Sequence, residues 1–286
     1  MGQLNIINPW SWYAIAASGQ LARGQILPIV LNGTPLVTWR SQSDKVSVWS
    51  DRCPHRGMRL SLGATRDEIL ICPYHGWVFG ADGACAHIPA HPQLTPSRAA
   101  RARIYPVTES NGYVWACLGE PAAPQPIVRN RTGNALSHVR TMHVSVDIET
   151  VVVALMTRSL LDESDASDWA GEALEWRSDE GAVVAHRNGA HPLFTARLTF
   201  PGFLSCEAAG PEGIVRYSAL VQPTMPGASA LHLAVDGSAR DVEKLPVVLN
   251  RGLVRLRDEL HSRSHDAALS AAAERCAALM PDQIHG

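Results

Sequence analysis

Residues Asp51 to Trp77 read DRCPHRGMRLSLGATRDEILICPYHGW, and the cysteines and histidines inside them decide how the rest of the chain is read. Cys53-Pro54-His55 is followed, after sixteen intervening residues, by Cys72-Pro73-Tyr74-His75. Two thiolates and two imidazoles arriving as a pair of short loops suit a [2Fe–2S] centre in which Cys holds one iron and His the other. Soft thiolates bind sulfide-bridged iron, whereas neutral imidazole donates less charge and raises the reduction potential. A single zinc held by two Cys and two His is the alternative use of the same donors. Zinc ligand pairs usually keep two or more residues between them, and only one separates Cys53 from His55. Pro54, Gly57, Pro73 and Gly76 let both loops turn tightly and aim backbone N–H groups at sulfur.

The pattern is C-x-H-x16-C-x2-H, and the stretch resembles Rieske-type non-haem iron oxygenases, the aromatic ring-hydroxylating and vanillate O-demethylase-like oxygenase components. Respiratory-chain Rieske proteins carry a second Cys on each loop and join the two as a disulfide. The matching positions here are Met58 and Tyr74, so that disulfide cannot form. The resemblance implies Cys53, His55, Cys72 and His75 as cluster ligands, with Arg56, Gly57, Tyr74, Gly76 and Trp77 immediately around the cluster. It runs on through NPWSWYAIA, TWR, GACAHIP, RIYPVTE and GYVWACLGEP, nearly continuous cover of residues 9 to 121.

The chain as a whole bounds the partners. Its 286 residues are 46% hydrophobic and 18% charged, enough for one large or two moderate domains. A net charge of −2 argues against a nucleic-acid or anionic-membrane surface. No stretch approaches the roughly 18 apolar residues of a membrane span. MGQLNIINPWSWY lacks a basic start followed by an apolar core, so no signal peptide is expected, and Ile6 breaks the myristoylation pattern. Cys85, Cys117, Cys206 and Cys276 are widely spread and read as buried thiols, which suits a reducing cytoplasm.

In chain order, Pro9 to Tyr13 reads as an aromatic group packed under the first strands. Strand character follows at Gln25 to Asn32, Thr34 to Arg40 and Lys45 to Ser50, with a turn at Asn32-Gly33. VSVWS and EILICP feed the two cysteine loops. Trp77 to Phe79 with Ala81-Asp82-Gly83 gives a hairpin, and Ile104 to Val107 with Tyr113 to Leu118 closes the barrel, with a turn at Asn111-Gly112. His87 and His91 read as loop histidines. Residues 1–120 therefore form an all-β cluster domain, 121–136 a Pro-rich linker and 137–286 a second domain. There, His143 to Val153 turns from alternating to apolar and leads into a helix carrying VVALMTRSLLDESDASDW. Strands are expected at Leu174 to Trp176, Ala182 to His186, Phe194 to Phe200, Ile214 to Gln222 and Ala230 to Val235. From Asp241, Leu245, Val248, Leu249, Leu253, Leu256 and Leu260 recur at helical spacing, and Ala267 to Met280 ends the chain as a second helical piece. The resemblance makes this an α+β helix-grip (START-like) domain behind the Rieske domain.

In the resembled family the first helix of that domain carries N-x2-D-x2-H-x4-H. Its two His, with a carboxylate from the C-terminal region, hold a mononuclear iron. Aligned by the VVxLM core, those positions become Ala154, Thr157, Leu160 and Asp165, and no His occurs between His143 and His186. A mononuclear iron is therefore not expected. His261 and His265, with Asp258, Glu259 and Asp266 nearby, read as a solvated helix end; His186 and His191 read as flanking a surface turn. The acidic run Asp162, Glu163, Asp165 and Asp168 reads as a solvated loop, with docking of a cationic partner as its alternative. Three functions follow. The first is a Rieske subunit fed by a reductase or ferredoxin, supporting a paralogous iron-holding subunit in a homo- or hetero-oligomeric, trimer-based ring. The second is a complete oxygenase of an aromatic or N-alkyl compound with relocated ligands, and the third a structural pseudo-subunit.

Overall fold

Two-residue turns shape the first half of the chain. The structure is a computed structural model that describes residues 6–123, 126, 128, 136–161, 174–187, 193–210, 213–236, 245–263 and 267–280. The first half contains β1 (Tyr13–Ala17), β2 (Ile26–Leu31), β3 (Thr34–Arg40), β4 (Val46–Ser50), β5 (Ala64–Arg66), β6 (Ile69–Ile71), β7 (Val78–Gly80), β8 (Cys85–His87), β9 (Ile104–Tyr105), β10 (Val107–Ser110) and β11 (Tyr113–Ala116). Asn32-Gly33 joins β2 to β3 and Asn111-Gly112 joins β10 to β11, with positive φ at all four residues. Three small antiparallel sheets result, ordered β1-β11-β10, β2-β3-β4-β9 and β5-β6-β7-β8.

A core shared by the second and third of these sheets is built from Val37, Trp39, Trp49, Leu60, Leu70 and Phe79 around Cys53 and Cys72. Trp39 and Trp49 meet edge-on at 5.1 Å, a contact worth about 1 kcal/mol beyond their burial. Arg40 is buried and staples this half together. Its Nε donates to Leu21 O at 2.6 Å, and its terminal nitrogens reach Glu109 at 2.6 and 2.9 Å and Asp44 Oδ1 at 3.0 Å. Burial acts upward on the Glu109 carboxyl, yet the hydrogen bonds from Arg40 and Ser18 hold it below the usual range.

The aromatic start differs from expectation. Tyr13 opens a strand, β1, whose five residues are all buried, so it shows none of the alternation that marks a half-buried strand. Trp10 stays 49% exposed, its ring lying over Gly119.

Two compact units emerge, Pro9–Pro126 and Ile127–Gly286, the second including the residues before Pro9. The second contains β12 (Leu136–Val144), α1 (Ile148–Thr157), β13 (Leu174–Asp179), β14 (Ala182–Arg187), β15 (Phe194–Thr199), β16 (Phe203–Gly210), β17 (Gly213–Met225), β18 (Ala228–Asp236), α2 (Leu245–Arg263) and α3 (Ala267–Ala278). Its strands form one antiparallel sheet, β12-β18-β17-β16-β15-β14-β13. The whole chain is α+β, with an all-β first unit.

Asp147 caps α1, accepting from Thr150 N at 2.8 Å, and Ile148 and Val151 through Thr157 are buried against the sheet and α3. The helix stops at Thr157 instead of running on into the acidic stretch. Arg158 is extended, the Thr157 hydroxyl folds back onto Val153 O and Ala154 O, and Leu160 N donates to the Tyr217 hydroxyl at 3.0 Å. Local polar groups thus offer the backbone partners that compete with the next helical turn. The strand before α1 also starts earlier than its alternating residues indicate, at Leu136. β16 is absent from the expected strands because SCEAAG carries no β-branched residue. Pairing with β15 and β17 on both sides supplies what propensity does not.

α2 follows its leucine spacing, and Leu249, Leu253, Leu256 and Leu260 are buried. Among the described residues no helix is long and apolar enough to cross a membrane. Within α2, Gly252 faces the chain leaving α1: a Cβ there would stand 1.9 Å from Leu160 O. Alanine in a helix interior normally stabilises by about 1 kcal/mol relative to glycine. Here the clash is with backbone and outweighs that gain, so Gly252→Ala should lower stability by about 1–3 kcal/mol. Thermal unfolding checks this; a raised melting temperature would mean that helix propensity wins and the close approach is absent.

Candidate metal centre

Strands β4 and β6 each lead into a cysteine loop, and the two loops share one backbone plan. Cys53 N donates to Met58 O at 2.8 Å and Gly57 N to Cys53 O at 2.8 Å; Cys72 N donates to Trp77 O at 2.9 Å and Gly76 N to Cys72 O at 3.2 Å. Gly57 and Gly76 hold equivalent places with φ of 71° and 68°, a backbone region that strains any side chain.

In that shared plan His55 is the third residue of its loop and His75 the fourth of its own. Their rings nevertheless converge, Nδ1 to Nδ1 at 3.1 Å with planes inclined by 60°. Two nitrogens bound to one first-row metal at ~2.1 Å each stand about 3 Å apart when the angle at the metal is close to a right angle. Both imidazoles are exposed, while both thiols are buried at 3%.

Electrostatics match that division. Burial pushes the Cys53 thiol up to about 11; N–H groups of His55 and Arg56 aimed at its sulfur act downward, and the neighbouring Cys72 thiol acts upward. A metal entering the site displaces this proton. Desolvation, then the charges of His75 and Arg56, hold His55 below its ordinary value, which favours the neutral ring that ligates metal. The donors come as one buried pair of thiols and one exposed pair of imidazoles. That arrangement fits a two-metal centre rather than a single four-coordinate zinc, and it fits a [2Fe–2S] group.

The residues expected around the cluster lie on or beside the two loops. Trp77 stacks on His55 at 4.5 Å, with 5° between the planes, and Tyr74 stacks on His75 at 3.8 Å. Gly76 passes beneath Pro89, whose Cγ would stand 3.1 Å from an added Cβ. One supporting residue is missed by the motif. Asp51 is buried at 1% and accepts from Arg59 Nε at 2.9 Å, Ser61 N at 2.6 Å and Ser61 Oγ at 2.7 Å. It ties the exit of the first loop to the end of β4. Its signal in the sequence is slight, because an aspartate ending a strand ordinarily reads as solvated.

The Rieske [2Fe-2S] domain profile matches residues 11–106. Oxidoreductase NdmD of Pseudomonas putida is 36% identical over 157 residues, which is 53% of this chain and 26% of that protein. Aminopyrrolnitrin oxygenase PrnD of Pseudomonas fluorescens is 31% identical over 150 residues, 51% of this chain and 41% of PrnD. The chain is a relative of the Rieske-type oxygenases. Its matches span well under two thirds of the length of these curated relatives. At the level of fold, the structure of NdmA from Pseudomonas putida CBB5 with caffeine superposes with a TM-score of 0.77 at 17% identity, covering 93% of this chain and 88% of NdmA.

The other candidate positions lie elsewhere. Ala154, Thr157 and Leu160 are buried in the second unit, and Asp165 lies outside the described residues. His186 Nδ1 meets Thr195 Oγ1 at 2.7 Å, and His261 Nε2 accepts from Ser145 N at 3.2 Å. Asp258 bonds Arg257, and His87 and His91 are exposed. His191, His265, Asp266, Asp162, Glu163 and Asp168 lie outside the described residues.

Two predictions follow from the site itself. Reduced protein should give the rhombic EPR signal of a His-ligated cluster; Cys72→Ser should abolish it, and His75→Cys should shift it toward ferredoxin-like values because thiolate adds negative charge. Colourless protein with stoichiometric zinc would end this reading. Asp51→Ala takes the acceptor from the Ser61 N–H and hydroxyl, while the half-exposed Arg59 turns to water, a loss on the order of 1–3 kcal/mol. Cluster absorbance should then decay several-fold faster under a chelator than in the parent; an unchanged decay would show that the first loop does not depend on Asp51.

Proposed function

We propose that the chain is the Rieske subunit of a multicomponent non-haem iron oxygenase. It accepts electrons singly from a reductase or ferredoxin and supports a paralogous subunit that holds the mononuclear iron, in a trimer-based ring. When bound, the [2Fe–2S] cluster supplies one-electron redox chemistry at a potential raised by imidazole ligation. Cys53 and Cys72 keep their end of the group away from water. His55 and His75, with Nδ1 turned inward, leave Nε2 as the ring nitrogen available to a partner. Trp77 and Tyr74 hold the two rings in place by stacking.

The observation that carries this reading is the contrast between a complete donor set in the first unit and the side chains at the matched positions of the second. Leu160 offers no lone pair. The Thr157 hydroxyl is committed to Val153 O and Ala154 O. Glu259, on α2 beside this region, pairs with Arg158 at 2.7 Å, so its charge is answered by a guanidinium and not left for a cation. Six free cysteines suit a cytoplasmic setting.

Iron and acid-labile sulfide are to be measured on anaerobically purified protein, together with O2-dependent turnover. Two irons and two sulfides per chain are expected, as the Rieske group requires, with no turnover from chain and reductase alone. Activity should appear on adding an oxygenase subunit with intact iron ligands. A reproducible third iron, or substrate oxidation by this chain alone, would overturn the proposal in favour of a complete oxygenase with relocated ligands. A cluster that no added subunit needs for turnover would overturn it in favour of a structural role.

A further inference from the structure

Three donors close over Asp51 at the root of the first cysteine loop, and they take both oxygens of its side chain. Oδ1 accepts from Ser61 N, while Oδ2 accepts from Arg59 Nε and from the Ser61 hydroxyl. A carboxylate supplies the two acceptors this clamp needs, and it brings a full negative charge with them. The Asp51 N–H donates to Pro35 O at 3.0 Å, which fixes the residue to β3.

Asp51 is the one buried acid among the described residues, and its side chain is 0% exposed. The acids between Arg52 and Thr108 are Asp67, Glu68 and Asp82, which stand at the turns β5–β6 and β7–β8, and none of them is buried. The cations beside the first ligand pair lie in water. Arg52 and Arg56 are exposed, and Arg59, which answers Asp51, has a side chain 57% exposed. The two ends of this ion pair therefore stand in unlike surroundings. Water at a dielectric constant of about 80 damps the field of the guanidinium, whereas the carboxylate acts through protein at an effective value of about 20. Cys53 follows two residues later, about 7 Å along the chain at ~3.3 Å per residue. That is inside the roughly 8 Å Debye length of physiological salt. Cys53 and Leu60, on either side of His55, belong to one buried core.

We propose that Asp51 sets the reduction potential of the cluster, lowering it through a fixed buried charge that Arg59 only partly offsets. The proposal rests on the Rieske reading above and assigns a tuning role to a residue that ligates nothing. On reduction the cluster gains one electron, with no bond made or broken, and its charge becomes more negative by one. A nearby fixed anion disfavours that state, so Asp51 opposes the rise in potential that imidazole ligation brings.

The test uses the full chain with its cluster, first checked for the Rieske EPR signal. Absence of that signal from the parent protein would fail the Rieske reading; a normal signal with potentials that do not move would fail this proposal alone. Each protein is titrated with dithionite through mediator dyes, and the reduced fraction is read from EPR and visible absorbance. Asp51→Asn keeps an acceptor oxygen for Ser61 and removes the charge. It should raise the equilibrium constant for reduction about tenfold, which is ~59 mV for a one-electron couple. Arg59→Gln should lower that constant, by about two- to threefold because the lost cation is screened by water. Arg59→Lys, which keeps the charge, should stay at the parent value. Opposite signs for Asp51→Asn and Arg59→Gln separate charge from structure, since a loosened loop shifts both potentials the same way. Shifts of one sign, or no shift in either variant, would overturn the proposal. If Asp51→Asn assembles no cluster, the arginine pair decides: Gln and Lys giving the same potential would overturn it.

Discussion

In the proposed reading one constraint shapes the first unit: four donors from two separate loops meet around one small inorganic group. The 3.1 Å approach of the His55 and His75 Nδ1 atoms is where that constraint is most visible. The loops have the same hydrogen-bonding plan but place histidine one residue apart, so that both rings converge from different starting points. This needs two glycines at positive φ, Gly57 and Gly76, and strands β4, β6 and β7 fixed beneath them. The buried Asp51, with its three donors, clamps the one loop that does not return directly into a hairpin. Arg40, further away, ties three segments of the same unit. Buried thiols over the core and exposed imidazoles at the surface then give the site its direction, with sulfur inside and nitrogen facing outward.

The second unit keeps a sheet and helices of the fold seen in NdmA, and the end of α1 is tied into it by several contacts. Leu160 leaves α1 with its N–H on the Tyr217 hydroxyl and its carbonyl against Gly252, and Arg158 reaches Glu259. Arg187 adds a bond to the Thr157 carbonyl at 2.9 Å. Helix end, sheet and α2 are therefore joined by ordinary hydrogen bonds and an ion pair of this chain's own side chains. Tyr217 is fully enclosed there, and burial lifts its hydroxyl well above the usual range, so it stays a neutral acceptor for Leu160.

Much of the cluster site was legible because ligand chemistry is encoded in residue type and spacing: Cys53, His55, Cys72 and His75 needed no tertiary information to be singled out. The same holds for Asn32-Gly33, Asn111-Gly112 and the leucines of α2, where turn chemistry and helical period are local signals. What was not legible depends on neighbours. β1 is buried on both faces, and β16 is a strand because of β15 and β17 rather than its own residues. The end of α1 at Thr157 is set by Tyr217 and Glu259, remote in sequence. Asp51 lacked any mark of its role, since its burial comes from Arg59 and Ser61 folding over it.

The central claim is that two histidines and two cysteines from these loops share one binuclear group. Pulsed EPR of the reduced protein with ¹⁵N-labelled histidine tests it most directly. Two distinct, strongly coupled nitrogens are predicted, with one lost on substituting His55 and the other on substituting His75. A single nitrogen coupling, or none that responds to either substitution, would contradict the account.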